Sequence, residues 1–307
     1  MNIAILGATS QIAKDLIISF SEHTDYDCTL FSRSAIKVQS WLDLVVGKYS
    51  SNDYTSFPNS NYDVIINFVG VGDPFRAKEM GEGIFEITHQ YDQLVLDYVK
   101  LHPSCKYIFL SSGAVFGDVF DEPVKESSVA TVPINHLNPI NWYAISKLYA
   151  EARHRSLENL SIIDVRVFNY FSHTQDMSAR FLITDIARAI RDKTLLKTSP
   201  ENIVRDFLHP VDFYQLIECI LNVGNINAAV DCYSKEPIDK ISLLDVMQKE
   251  FSLQYKLIGE HESVNATGGK SNYYSLNRGA ENLGYKPNYS AIECILTECN
   301  LLIQNQL

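Results

Sequence analysis

The sequence predicts an α/β protein: a doubly wound parallel sheet with a smaller C-terminal lobe interwoven with it. Three observations carry this expectation. Short apolar runs alternate with amphipathic stretches through the first half, the pattern of βαβ units. The runs themselves are apolar throughout, as in strands covered on both faces. Past Asn169 the alternation stops, yet no linker, repeat or low-complexity tract separates the halves.

Taken in order, Asn2–Leu6 reads as a buried strand and Ser10–Phe20 as the helix after it. Cys28–Phe31 and Asp63–Phe68 are the next strands. Phe85–Lys100 is a helix ended by His102-Pro103, because the residue before proline is pushed out of the helical region. Lys106–Leu110 is a strand that runs into Ser111-Ser112-Gly113, followed by a helix carrying Tyr143 and the strand Ser161–Phe168. Right-handed crossovers then give a Rossmann-type sheet. Beyond it lie a polar loop (Tyr170–Met177), a helix over Ala179–Asp192, the stretch Arg205–Asp212, a helix near Phe213–Asn222 and a strand near Ala228–Tyr233.

Composition narrows the partners. The chain has 307 residues, 46% hydrophobic and 21% charged, with a net charge of −11. An acidic body attracts neither nucleic acid nor an anionic membrane. The six cysteines lack C-x-x-C spacing, so buried thiols are expected rather than disulfides or a metal site. The opening Met-Asn-Ile-Ala-Ile-Leu-Gly has no basic n-region, and no apolar run reaches the length of a membrane span. A cytoplasmic location is expected.

In open α/β sheets ligands bind at the carboxyl ends of the strands, where Gly7, Asn67, Ser111-Ser112 and Asn169 all fall. Gly7 permits a tight turn into the first helix, and small Ser10 and Ala13 permit close approach of a pyrophosphate to the helix amides. An ordinary βα turn is the plain alternative. At the end of the second strand stands Ser32-Arg33-Ser34, where a carboxylate usually selects an unphosphorylated ribose. A guanidinium between hydroxyls suits a 2′-phosphate instead, which favours NADP(H), with NAD possible. The plain alternative is an exposed loop arginine. Tyr143 and Lys147 are four apart, on one face of a helix. An ammonium beside a phenol favours the phenolate, making tyrosine an acid/base near neutral pH.

Together, Gly7-x-x-x-x-x-Ala13, Val64-Ile-Ile-Asn67, Leu110-Ser-Ser-Gly-Ala-Val-Phe-Gly-Asp118, Asn138-Pro-x-Asn-x-Tyr143-x-x-x-Lys147, Arg166-Val-Phe-Asn169, Arg205-Asp-Phe-Leu-His209 and Leu283-Gly-Tyr-Lys-Pro287 resemble the extended short-chain dehydrogenase/reductases, the NAD(P)-dependent epimerase/dehydratase family acting on nucleotide sugars. The resemblance runs along nearly the whole chain. It implies that Tyr143 transfers a proton, Ser112 hydrogen-bonds the sugar oxygen, and Lys147 tunes Tyr143 and holds the cofactor ribose. It places the cofactor on Gly7, Thr9, Ser10, Gln11, Ile12, Ser32, Arg33, Ser34, Asn67, Phe68, Val69, Ser111, Tyr143 and Lys147. The sugar nucleotide falls to Ser112, Gly113, Asn169, Arg180 and Arg205. For Arg205 and Arg180 the plain alternative is a surface ion pair, as between Arg205 and the adjacent Asp206. His173 and His209 receive no catalytic role. Residues 1–168 are then a dinucleotide-binding unit and 169–307 mainly a substrate lobe, with a segment near 207–234 returning to the sheet. A homodimer through the two long helices of the sheet is implied as well.

This chain departs from the family pattern at Ser10 and Ala13, which replace turn glycines, and at Phe116, which replaces a tyrosine. Family 4,6-dehydratases carry Asp-Glu after the catalytic residue; here Gly113-Ala114 follows Ser112, which speaks against a dehydratase. The expected reaction is NADPH-dependent reduction of a keto group, at C4, on a nucleotide-linked deoxysugar. A 4-epimerase with tightly bound NAD is the alternative, and a non-catalytic NADP(H)-binding regulator the alternative of another class.

Overall fold

The computed structural model describes residues 1–71, 77, 79–259 and 270–304. Its main sheet contains β1 (Asn2–Leu6), β2 (Asp27–Phe31), β3 (Ser50–Asn52), β4 (Val64–Asn67), β5 (Lys106–Ser112), β6 (Ile162–Val167) and β11 (Asn227–Asp231). The strands pair in the order β3-β2-β1-β4-β5-β6-β11, every pair parallel. Successive side chains of a strand point to opposite faces. Ile3 and Ile5 of β1 therefore join one core, with α1 (Gln11–His23), α2 (Ala35–Val45) and α6 (Pro210–Asn222). Ala4 and Leu6 join the other, beneath α3 (Gly83–Leu101) and α4 (Asn141–Arg155). Both faces are covered, which is why the strands read as unbroken apolar runs. A third core gathers Phe171, Phe207, Met247 and Ile295 around α5 (Leu182–Asp192), α7 (Lys240–Phe251) and α8 (Ala291–Gln304).

Two elements of the sheet domain's first half have no counterpart in the sequence reading. In α2 only Val38 and Leu42 are buried, while Ile36 and Leu44 are largely exposed, so no clean apolar stripe marks it. The edge strand β3 is Ser-Ser-Asn, without an apolar residue. The helix expected from Ala179 starts at Leu182. Phe181 is extended, and its N–H bonds the Thr184 hydroxyl at 3.0 Å in place of a helical carbonyl.

The sheet holds a buried line of charge. His154 of α4 is fully buried, with Nδ1 2.6 Å from Asp164 Oδ1 and Nε2 2.7 Å from Asp92 Oδ1. A neutral imidazole has one N–H; two carboxylates facing two ring nitrogens require two. Burial opposes the charge, but Asp164 and Asp92 outweigh it and raise His154 to about 9. Arg153 bonds Asp92 at 2.8 Å and Arg155 bonds Asp164 at 2.7 Å. On the other side Tyr107 donates to Asp92 at 2.9 Å and accepts from the Asn67 amide at 3.0 Å. Asn67 Oδ1 in turn accepts from Val69 N–H at 2.9 Å, so the line ends in the loop after β4.

All six cysteines are free, and all but Cys219 are buried. Among the described residues no helix is long and apolar enough to cross a membrane, and no cluster of His, Cys, Asp and Glu is suited to hold a metal ion.

Candidate active site

Strand order reverses between β1 and β4, the place where open α/β sheets leave a crevice. Leu6 lies opposite Asn67 there, and the turn after one strand presses on the loop after the other. Gly7 has φ +75°, and a Cβ on it would stand 2.8 Å from the Phe68 carbonyl carbon and from Val69 N. Its N–H reaches Phe31 O at 3.0 Å and the Tyr54 hydroxyl at 3.2 Å. Ser10 is the N-cap of α1 without its side chain capping the first turn, and that turn has no acidic residue. The amides opening the helix at Gln11 and Ile12 are thus available to an anion. Thr9 is exposed beside them. The Gln11 side chain points away, donating to Ser172 Oγ at 2.9 Å.

Gly7→Ala adds a methyl where there is no room, in a backbone conformation that costs an L-residue about 1–2 kcal/mol. Loss of nucleotide binding in a titration calorimeter is the expected result. An unchanged Kd would show that this turn is not the seat.

At the end of β2, Ser32 is buried and receives the Ser34 N–H on its hydroxyl at 3.2 Å, while Arg33 projects into solvent. Among the described residues Arg33 makes no ion pair. Its positive charge lowers the Tyr54 phenol against a larger effect of burial, which pushes that group up to about 12. Arg33 and the Gly7 turn therefore share Tyr54 as a neighbour. Phe68 is buried against Phe213, and Val69 is partly buried. The side chains of Asn67 and Ser111 both point inward. Ser111 donates to Glu151 Oε1 at 2.5 Å, and Glu151 is clamped by Arg166 through bonds of 2.6–3.1 Å.

Helix α4 begins where Asn141 accepts the Asn138 N–H at 2.9 Å and donates to Asp118. One turn later it presents Tyr143 and Lys147. Lys147 is buried, its ammonium 2.7 Å from Leu110 O and 4.3 Å above the Phe109 ring. A Cβ on Gly70 would lie 3.3 Å from that nitrogen, so the glycine keeps its approach open. Burial lowers Lys147 to about 8, against Asp92, Asp164 and Glu151, which raise it.

Tyr143 differs from the expectation. Burial raises its pKa, the Ser112 hydroxyl lowers it, and burial prevails. The ammonium four residues on is aimed at a backbone carbonyl instead of the phenol. Ser112 ends β5, accepts the Ala114 N–H at 3.2 Å and lies 3.2 Å from the Tyr273 hydroxyl. Gly113 is hemmed in by the Phe168 ring, 2.3 Å from where a Cβ would be.

Arg205 lies in the short strand β9 (Val204–Arg205), between β12 (Ile238–Asp239) and β14 (Asn272–Tyr273). It is only 5% exposed, and one guanidinium nitrogen bonds Val204 O and Lys270 O, both at 2.8 Å. The other terminal nitrogen is buried without a partner among the described residues. It forms no ion pair with Asp206, which instead accepts the Ser234 N–H at 3.0 Å. Burial drops Arg205 to about 10 and Lys270 to about 8. The Lys270 ammonium stands over Tyr273 at 4.7 Å and Phe120 at 4.8 Å. Asn169 spends its amide on Asp206 O and Tyr273 O. Arg180 is exposed, ahead of α5, and its charge acts on Asp185. His173 and His209 both face Glu298; His209 Nδ1 also accepts the Val211 N–H, capping α6.

Six neighbours of this site escaped the sequence reading: Tyr54, Gly70, Phe109, Glu151, Lys270 and Tyr273. Only Glu151 had a signal, being one further turn along α4 from Lys147.

A family model described as the NAD dependent epimerase/dehydratase family matches residues 3–230. No curated protein matches by sequence. Among solved structures, a UDP-glucuronic acid 4-epimerase from Bacillus cereus, with NAD and a fluorinated UDP-sugar, superimposes with TM-score 0.81 at 16% identity, covering 100% of both chains. A UDP-glucose 4-epimerase from Bifidobacterium longum with NAD+ and UDP gives 0.78 at 18%, covering 100% of this chain and 99% of the other. A dTDP-glucose 4,6-dehydratase from Bacillus anthracis with NAD gives 0.80 at 15%, covering 100% and 97%.

Proposed function

Because the chain belongs to the NAD dependent epimerase/dehydratase family, we propose a specific reaction within it: NADPH-dependent reduction of a keto group, at C4, on a nucleotide-linked deoxysugar. Arg33 carries this reading. It is an exposed cation without an ion pair among the described residues, between two serines, beside the phenol that holds the Gly7 amide. Such a group grips a 2′-phosphate and has no use for a bare ribose.

A nicotinamide held at this seat would supply the hydride. The chain supplies the rest. Tyr143 donates a proton to the sugar oxygen, a role favoured by burial that keeps the phenol protonated at neutral pH. Ser112 holds that oxygen. Lys147, still mostly protonated below about pH 8, holds the ribose. The open nitrogen of Arg205 faces a need for an anion, which a diphosphate meets; Lys270 and Asn169 stand beside it. Gly113 and Ala114 offer no side-chain acid or base, so the site lacks the means to expel water from the sugar. A homodimer through α3 and α4 would cover the groove between Phe85, His89 and Tyr149.

The second reading is a 4-epimerase that keeps NAD, supported by the likeness to NAD-bound epimerases. Incubation with NADPH and a panel of 4-keto-6-deoxy nucleotide sugars separates the two. Net oxidation of NADPH is expected. Interconversion of two sugars without net cofactor change would establish the epimerase, and NADP(H) binding without turnover a regulator. In the same assay Arg33→Ala is expected to weaken NADPH about tenfold or more while leaving NADH unchanged, the loss of a charge-assisted contact being about 1.5–3 kcal/mol. Equal effects on both cofactors would remove the main support for NADPH.

A further inference from the structure

We propose that Ser275 is a positioning residue for the sugar nucleotide: it moors the segment Lys270–Asn277 to the carboxyl edge of the main sheet, and that segment aims the Arg205 guanidinium. The proposal rests on Arg205 as the seat of the diphosphate and deepens that reading.

The mooring is a row of facing side chains. Ser111 of β5, Arg166 of β6 and Asp231 of β11 stand opposite one another in register, so their side chains leave the sheet on one face. Glu151 of α4 lies over the row, accepting the Ser111 hydroxyl at 2.5 Å and the Arg166 guanidinium at 2.6–3.1 Å. Arg166 also reaches Asp231 Oδ1, but only at 3.3 Å. Asp231 is 2% exposed, and burying a carboxylate is costly unless donors meet its oxygens. Ser275, 1% exposed, supplies the shorter bond, its hydroxyl donating to Asp231 Oδ2 at 2.7 Å. The carboxylates flank a guanidinium and, ionised, can only accept, which fixes the direction of each bond. Ser275 Oγ in turn accepts the Asn277 N–H at 3.0 Å.

From this mooring the chain leads back to Arg205. Tyr273 pairs with Arg205 and Asn272 with Val204. The Val204 N–H bonds Ser271 O at 2.7 Å, and one guanidinium nitrogen of Arg205 bonds Lys270 O at 2.8 Å. The backbone of Lys270–Tyr273 therefore sets the orientation of the guanidinium. With it goes the direction of the buried nitrogen that has no partner among the described residues. On its other side the segment bonds Phe120 and Val124, in a loop (117–133) without helix or strand. Asn169 and Ser112 touch it at Tyr273. Ser275 ties it to the sheet through charge, and removing its hydroxyl leaves Asp231 Oδ2 buried without that donor.

The test is titration calorimetry of UDP, of dTDP and, separately, of NADPH, on the unaltered protein and on Ser275→Ala. The Kd of the nucleoside diphosphate is expected to rise about tenfold, the usual effect of losing a hydrogen bond to a charged group. The Kd of NADPH is expected to stay unchanged, because the Gly7 turn shares no bond with Ser275. An unchanged Kd for UDP and dTDP would overturn the proposal. Equal weakening of all three ligands, the mark of a loosened fold, would overturn it too. Asp231→Asn keeps an oxygen for the Ser275 hydroxyl but makes it a neutral acceptor, with a rise of about threefold expected and no rise refuting the link. Since Ser275 acts through Arg205, adding Ser275→Ala to Arg205→Ala is expected to cost nothing more; fully multiplicative losses would refute it. If the unaltered protein binds neither UDP nor dTDP, the nucleotide-sugar reading falls and this proposal with it. If it binds them and Ser275→Ala has no effect, this proposal alone falls.

Discussion

Tyr143→Phe is expected to lower turnover about 10²- to 10⁴-fold, the usual contribution of a general acid or base, while leaving NADPH affinity near that of the unaltered protein. The ring remains in α4 and only the proton donor is lost. Stopped-flow NADPH oxidation and a cofactor titration give the two readouts; a loss of less than about threefold would remove Tyr143 from the chemistry. The pH dependence has a definite sign. Reduction requires a protonated phenol, and burial raises the Tyr143 pKa, so this group does not limit the rate at neutral pH. Lys147, lowered to about 8, loses its charge first. Activity is therefore expected to be level below about pH 8 and to decline above it. For an epimerase, whose first step takes a proton onto the phenolate, activity should rise over that range.

His154→Leu is expected to destabilise the fold by about 3–5 kcal/mol, the cost of leaving a buried charge without its partner. The substitution strips both Asp92 and Asp164 of a donor at 2.6–2.7 Å, although Arg153, Tyr107 and Arg155 still reach them. Urea unfolding measures the change. Stability against pH supplies an independent check. Burial resists the imidazolium, but Asp164 and Asp92 raise it from 6.5 to about 9, so the folded state holds the proton more tightly. That contribution, up to about 3 kcal/mol, is complete below about pH 6.5 and is lost as pH rises through about 9. The variant should lack this alkaline decline. A decline of equal size in both proteins would place its origin elsewhere.

The sheet was legible because period and length betray buried strands: β1 is Asn2–Leu6 in both readings, and β2, β4, β5 and β6 differ only by a residue or two at their ends. The ends of the strands point to Gly7 and Ser112, and helical spacing puts Tyr143 and Lys147 on one face. Chemistry set by burial was not legible. Spacing places Lys147 near Tyr143, but whether the ammonium faces the phenol or the Leu110 carbonyl depends on packing against Phe109. Tyr273 reaches Ser112 from 161 positions away, through a two-residue strand whose partner, Val204–Arg205, has no periodicity of its own. His154, Asp92 and Asp164 look like ordinary surface charges in the sequence; only the fold encloses them. The missing α2 is the converse, a helix whose exposed Ile36 and Leu44 blur the stripe that would have announced it.

If the nucleotide sits where proposed, the contact between Gly7 and the Phe68–Val69 backbone bears on how that ligand would be acquired. The seat consists of two turns about 60 residues apart, brought within van der Waals reach only after β1 and β4 have paired. An incomplete chain or an unzipped sheet would therefore have no seat to offer, and a dinucleotide held there would bind the finished sheet alone. By mass action such a ligand acts as a clasp. At a hundred times its Kd it adds about 3 kcal/mol to the folded state, and the addition falls on the strand pair at the centre of the molecule. Supply of the cofactor and persistence of the fold would then be coupled.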